Sequence, residues 1–435
     1  MLHLSISRAP KKPTVRRSFG SSALLAAALS VSVPAGATPI LTEEEGTRQV
    51  CSRGPSVALA RALGLQGMAQ EAAAEVLPNP SLIAEHQRTL TGPEESETIV
   101  GLSVPFGVSG RRSLLREAAA SRRDQSFADG DATLFASALS FREAYLTALL
   151  DQARARILGE QQAALEASSV TIEALARGGE VAGYDLLRQR VQARLHRGSV
   201  DSAQARALAS RAALEAWTQA EVELPELDLA VLADAAAVLP STTPRVPTPG
   251  VQSLRASSRA HGLEARAARR RWVPDPEVFA GYRALEGGGD MAHGVALGLT
   301  LPLTFFDHGQ GEAARADAER AVTEAAAEEL ELRQRAEAKS ARARLAELSS
   351  GISNLGQARQ DAQELLRQAQ RLYSAGESSI TEMLEAFRVA EEARLAELER
   401  IFEIALTRLL VMRASGTMFD ASLDQACMRP EQRKP

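Results

Sequence analysis

The sequence is poor in aromatic residues, which make up only 4% of its 435 positions. Compact enzyme domains draw much of their buried area from such rings, whereas alanine, leucine, glutamate and arginine dominate long tracts here, the composition of extended helices. Cysteine is nearly absent. Cys51 and Cys427, near the two ends, are too few for a disulfide framework. In an oxidising compartment they can pair and tie the first helix to the last; otherwise they are two unrelated small hydrophobes. Beyond residue 37 no apolar run reaches the roughly 18 residues that a membrane-spanning helix needs. Proline is missing between Pro105 and Pro225 and again between Pro302 and Pro430, so each half holds a long stretch without the strongest helix breaker. Positive charge is not in excess either. The formal net charge is −5, and without the five basic residues of the first 37, which contain no acid, it is about −10, leaving nucleic acid no reason to bind.

Catalytic signatures are also missing. No nucleophile, paired catalytic carboxylates or cofactor fingerprint stands in the right context, so neither an enzyme nor a cofactor is expected. The six histidines, His3, His86, His196, His261, His293 and His308, show no i, i+4 pairing and no CxxC partner, and their spacing favours no metal site. "EGGGD" (286–290) opens no helix and reads as an outer hairpin loop rather than a phosphate cradle. "RAARRRW" (266–272) reads as the basic end of a helix anchored against lipid headgroups.

What is present begins with a targeting segment over residues 1–37: Arg8, Lys11, Lys12, Arg16 and Arg17, then "ALLAAALSVSV", then Ala35-Gly36-Ala37 as a cleavage site. Arg16-Arg17-Ser18-Phe19 also fits a twin-arginine signal, though the general secretory route suits the segment better. The chain is therefore expected to be exported.

The remainder is a tandem duplication. Pro78-Asn79-Pro80 recurs as Pro274-Asp275-Pro276 at an offset of 196, and "ETIVGLSVPF" (97–106) recurs as "GVALGLTLPL" (294–303) at 197. Gly110 answers Gly309, and "LARGGEVAGYDLL" (175–187) answers "LYSAGESSITEML" (372–384). Landmarks in one order at nearly one offset divide the chain into a first repeat (38–224), a Pro-rich linker (225–250), a second repeat (251–420) and a tail (421–435). Each repeat is expected to hold a helix ending at the Pro-x-Pro (56–76, 251–272), a strand pair, a very long helix (110–177, 309–373), a glycine turn and a returning helix (184–222, 380–414). About 65 helical residues make a rod on the order of 100 Å, longer than any compact domain.

The strands alternate with period two. Val295, Leu297, Leu299, Leu301 and Leu303 take one face, and Ala296, Gly298, Thr300 and Pro302 the other. Such alternation marks a strand with different surroundings on its two sides, and about ten residues suit a tilted membrane strand. Trp272, Phe106, Phe305 and Phe306 gather at strand ends, as an interfacial belt requires. Four strands cannot seal a barrel against lipid, since even small membrane barrels have about eight, so several chains must share one. Pro78, Pro80, Pro274 and Pro276 mark the points where helix gives way to membrane strand.

Taken together, "LPNPSL", the paired "GLSVPF" and "GLTLPL" strands, and the turn "YSAGESSITEML" resemble the TolC-like family of outer-membrane efflux factors over nearly all of the mature chain. The resemblance implies a mainly α fold with a small β part. A homotrimer would build a twelve-stranded barrel in outer-membrane lipid and a helical tunnel in the periplasm. The implied partners are a periplasmic adaptor protein and an inner-membrane proton-driven pump of the RND type. "PNPSL" and "LPLTFFDHGQG" look most like the CzcC-type branch, which exports heavy-metal cations. The alternatives are a TolC-type duct for drugs or secreted proteins, or a periplasmic coiled-coil adaptor or scaffold.

Matching to the family places Asp185, Tyr373, Glu382 and Glu385 at the constriction of the tunnel tip. Gly179, Glu180, Gly376, Glu377 and Ser379 fall in the turns that would meet the adaptor. Glu382 and Glu385 share a helix face, and threefold repetition would make acidic rings that favour cations. Equally, they can be part of an ordinary solvated face. Ser378 stands where the family often has a locking arginine.

Overall fold

The computed structural model describes residues 40–91, 95–179, 182–226, 247–287 and 289–416. The 1–37 segment, most of the linker, the 421–435 tail, Glu180 and Cys427 lie outside the described residues.

The chain begins with a helix the sequence pattern does not announce, α1 (Glu43–Arg53), started by Thr42, whose hydroxyl accepts from Glu45 N–H, and by three acids in its first turn. Gly54-Pro55 ends it and opens α2 (Pro55–Glu75), with Pro55 at the first helical position, where its missing N–H costs nothing. There follow β1 (Ser81–Arg88), β2 (Glu95–Pro105), α3 (Arg111–Gly178) and α4 (Gly183–Thr218). The second repeat gives α5 (Pro249–Arg269) with a 3-10 turn to Trp272, β3 (Glu277–Gly287), β4 (Asp290–Thr300), α6 (Gln310–Ser350), α7 (Ile352–Ser374) and α8 (Ile380–Ser415).

The 68 residues of α3 form one rod of about 100 Å. Its counterpart in the second repeat is expected as one helix from 309 to 373 and is instead interrupted at Gly351. Just before the break, Ser349 Oγ donates to Leu345 O and Ser350 Oγ to Glu347 O. Two hydroxyls competing for backbone acceptors beside a glycine are a sufficient local cause.

The four strands form one antiparallel sheet in the order β1-β2-β3-β4. The helices beneath follow the same order, α2 packing on α3, α3 on α5 and α5 on α6. The linker therefore divides the sequence but not the packing, because the two repeats share one sheet and one helical layer. Away from the sheet, α1, α3, α4 and α8 enclose a core of Val50, Phe141, Leu149, Leu214, Leu398 and Phe402. A second cluster of Leu165, Ile172, Tyr373, Ile380, Met383 and Phe387 closes the far end of the long helices. Among the described residues, no helix is long and apolar enough to cross a membrane.

Candidate functional site

The strand register decides what the sheet can do. Leu82, Leu102, Ala280 and Leu297 stand side by side across the four strands, and Ala84, Val100, Tyr282 and Val295 form the next row. These rows, with Val104, Val278 and Leu299, build one apolar face, and it is open: Leu297 is 78% and Leu82 71% exposed. The opposite face carries Glu85, Glu97, Arg283 and Ser103, with Glu97 paired to Arg283. Among the described residues no helix covers either side, and β1 and β4 have no outer strand partner. In water such a sheet would expose an aggregation-prone surface and two unpaired edges.

The corners are built by cross-links between repeats. Pro78 and Pro80 lie in the connector from α2 to β1; Pro274 and Pro276 flank the entry to β3. Pro276 O accepts from Phe106 N–H at 2.8 Å, and Asp275 accepts from Ser109 N–H at 2.9 Å and Ser109 Oγ at 3.1 Å. The entry to one strand thus fixes the exit of another. The basic run also makes contacts within the chain: Arg269 pairs with Asp317, Arg270 donates to Gly110 O, and Arg271 pairs with Glu312 and Asp307. Trp272, Phe106, Phe305 and Phe306 are exposed at this end of the sheet.

At the far end of the helices, both expected turns are present. Gly179 has φ +81° and Gly376 φ +76°, and a Cβ at either would meet nothing within 4 Å. Left-handed backbone, not crowding, is what calls for glycine at both. Gly376 N–H donates to Tyr373 O and Glu377 N–H to Leu372 O, the double closure of a Schellman end. Ser379 then starts α8 with a capping box: Glu382 N–H donates to Ser379 Oγ at 3.3 Å, and Ser379 N–H donates to Glu382 Oε2 at 2.8 Å. In the first repeat the corresponding residue is Ala182, and α4 starts without a side-chain cap.

The four expected constriction residues separate into two environments. Tyr373 is 8% exposed, its hydroxyl has no hydrogen-bond partner, and burial followed by the charge of Asp185 raises its pKa. Tyr373 and half-buried Asp185 thus lie within electrostatic reach of each other, inside the packed end. Glu382 and Glu385 sit on the exposed face of α8, each already engaged: Glu382 in the capping box, Glu385 by Arg388 at 2.6 and 3.0 Å. The Arg388 hydrogen bonds hold the Glu385 carboxyl below its ordinary range. Arg388 reaches Glu392 as well, at 2.8 Å. Ser378 Oγ is buried and unpartnered.

Sequence reasoning missed the cations here. Arg188 donates to Thr381 Oγ1 at 2.7 Å, joining the N-terminal ends of α4 and α8, and Arg190 pairs with Glu173 at 2.6 Å across α3 and α4. Arg388 was detectable as the i+3 neighbour of Glu385. Further up, His196 Nε2 lies 2.9 Å from Glu391 and Nδ1 2.9 Å from Gln162, joining α4, α8 and α3.

No protein-family model and no curated relative matches the sequence. Solved structures do match. CusC, from a study of folding and transmembrane channel formation, has a TM-score of 0.70 at 17% identity, covering 87% of this chain and 93% of its own. The VceC outer-membrane protein of Vibrio cholerae gives 0.70 at 16%, with 87% and 97% covered. The CmeC outer-membrane channel of Campylobacter jejuni gives 0.68 at 15%, with 93% and 94% covered. At these identities the likeness is one of fold: the chain has the strand-and-long-helix architecture of these outer-membrane proteins over most of its length.

Proposed function

We propose that the chain is the outer-membrane channel of a tripartite efflux system, a conduit that makes and breaks no bond. Three copies would pool their strands into a twelve-stranded barrel in the outer membrane and continue as a helical tunnel in the periplasm. An adaptor would meet the turns at Gly179 and Gly376, and an inner-membrane pump would supply the energy. One observation carries this reading: a four-stranded sheet with one apolar face, no covering layer and no strand beyond β1 or β4 among the described residues. Lipid tolerates such strands only in a closed barrel. The fold shared with CusC, VceC and CmeC supports it.

For cargo, the resemblance to the heavy-metal branch favours cations such as zinc, cobalt or copper. The pairing of Glu385 with Arg388 and the use of Glu382 as a cap favour a second reading, a duct for uncharged or organic solutes, because both carboxylates are partly spent. Membrane fractionation with bilayer recording tests the channel: the protein should extract only with detergent and form discrete conductance steps. Deletion followed by growth on graded metals and toxic organics separates the cargoes. Solubility without detergent and a silent bilayer would defeat the proposal.

A further inference from the structure

His261 on α5 faces two carboxylates. Its Nδ1 lies 3.2 Å from Glu264 Oε2 on the same helix and 3.2 Å from Glu319 Oε2 on α6. All three ligand atoms lie within 4.8 Å of one another. The imidazole is 13% exposed, and despite two oxygens within reach Nδ1 makes no hydrogen bond of acceptable geometry. Neither oxygen stands where the ring nitrogen can hydrogen-bond to it. A cation standing between the three groups can satisfy all of them.

From this geometry we propose a binding site for a divalent transition-metal ion of the zinc class, held by His261, Glu264 and Glu319. A tetrahedral ion with bonds of about 2.1 Å has ligand-to-ligand edges of about 3.4 Å, close to the two separations present. One imidazole and two carboxylates suit a borderline ion, whereas magnesium and calcium require six or more oxygens. Three protein ligands leave a fourth position for water.

The surroundings hold the carboxylates in place. Arg122 on α3 grips Glu264 with Nε at 2.8 Å from Oε1 and Nη2 at 3.0 Å from Oε2; Arg315 holds Glu319 by Oε1 at 2.9 Å, leaving Oε2 turned to His261. Such outer contacts orient ligands. They also place positive charge beside the ion, so Arg122 and Arg315 oppose binding while shaping the site. A crevice of 670 Å³ between α3, α5 and α6 lies next to the cluster, with Gly262 and Arg320, the neighbours of His261 and Glu319 in sequence, in its wall. An ion here would clamp α5 to α6 below the sheet. The site is independent of the cargo, since a channel for uncharged solutes could carry it equally well.

The test is titration of the detergent-extracted full-length protein with zinc chloride, followed by competition with a chromophoric chelator, with magnesium chloride as control. Zinc should bind at one ion per chain, magnesium should not compete, and His261→Ala or Glu319→Gln should weaken zinc at least about tenfold. Arg315→Ala should tighten it, because it frees Glu319 and removes a cation; a plain salt-bridge network has no reason to respond that way. Helical circular dichroism checks that each variant is folded, with His261→Gln as the gentler substitute if the alanine variant is not. Equal zinc uptake by wild type and the His261→Gln, Glu319→Gln double variant overturns the proposal, as does Arg315→Ala binding zinc no better than wild type.

Discussion

The ring of Phe279 on β3 lies across Gly101 on β2: a Cβ at Gly101 would stand 2.7 Å from Phe279 Cε2 and 2.5 Å from Ala280 O. Gly281 is covered by the same ring, with Phe279 Cζ 2.7 Å from where its Cβ would be. The aromatic thus fills what the glycines leave empty on the polar face of the sheet. Gly101→Val should displace the ring and cost about 1–3 kcal/mol in a site with no room. The temperature at which the extracted assembly dissociates measures this: a clear fall is expected, and an unchanged value would show that the ring moves freely.

Asp275 ties two strands from different repeats through Ser109. Asp275→Ala leaves Ser109 N–H without its acceptor and should cost about 1–3 kcal/mol. Asp275→Asn should recover part of this, since its amide oxygen can still accept. Asn79, the matching residue of the first repeat, has no such bond among the described residues, and Asn79→Ala should leave the thermal midpoint unmoved. Equal losses at both positions would contradict the assignment.

Glu385 should contribute little cation preference while Arg388 holds it. Because the bound carboxyl lies below its ordinary value of 4.5, its charge persists to lower pH. Arg388→Ala should raise cation selectivity at neutral pH and move the loss of selectivity on acidification up into the ordinary carboxylate range. Contributions from a lowered carboxyl are present above its ordinary value and vanish as pH falls through the lowered one. Reversal potentials across a salt gradient, recorded from neutral pH to pH 4, give the answer. Superimposable curves for wild type and Arg388→Ala would remove Glu385 from the pore.

Cys51 is buried at 2% exposure in α1, and no described cysteine is a free thiol. We propose Cys427 as its partner, which predicts a bridged peptide in mass spectra of the unreduced protein, lost on reduction. Two separate alkylated peptides without reduction would rule the bridge out.

Much of this architecture was legible because prolines and glycines mark it. Pro78 and Pro80 stand just before β1 and Pro274 and Pro276 just before β3, and Gly179 and Gly376 stand where left-handed backbone is needed. The Gly351 break was hidden because one glycine in a long helical pattern is often tolerated, and only the paired Ser349 and Ser350 bonds add to its cost. Ser379-x-x-Glu382 is a visible capping box, but the family resemblance drew the reading of Glu382 toward a pore. His261 was set aside as a ligand on spacing because its helix partner is at i+3 and its third neighbour, Glu319, is on another helix, a proximity that only packing creates. The destinations of Arg269 and Arg271 were hidden for the same reason.

The central claim is that one chain's sheet is incomplete and closes only with two others. Native mass spectrometry of the detergent-extracted protein tests it most directly. The account predicts a species of three chains and no stable monomer in detergent-free buffer; a monodisperse single chain, soluble without detergent, would contradict it.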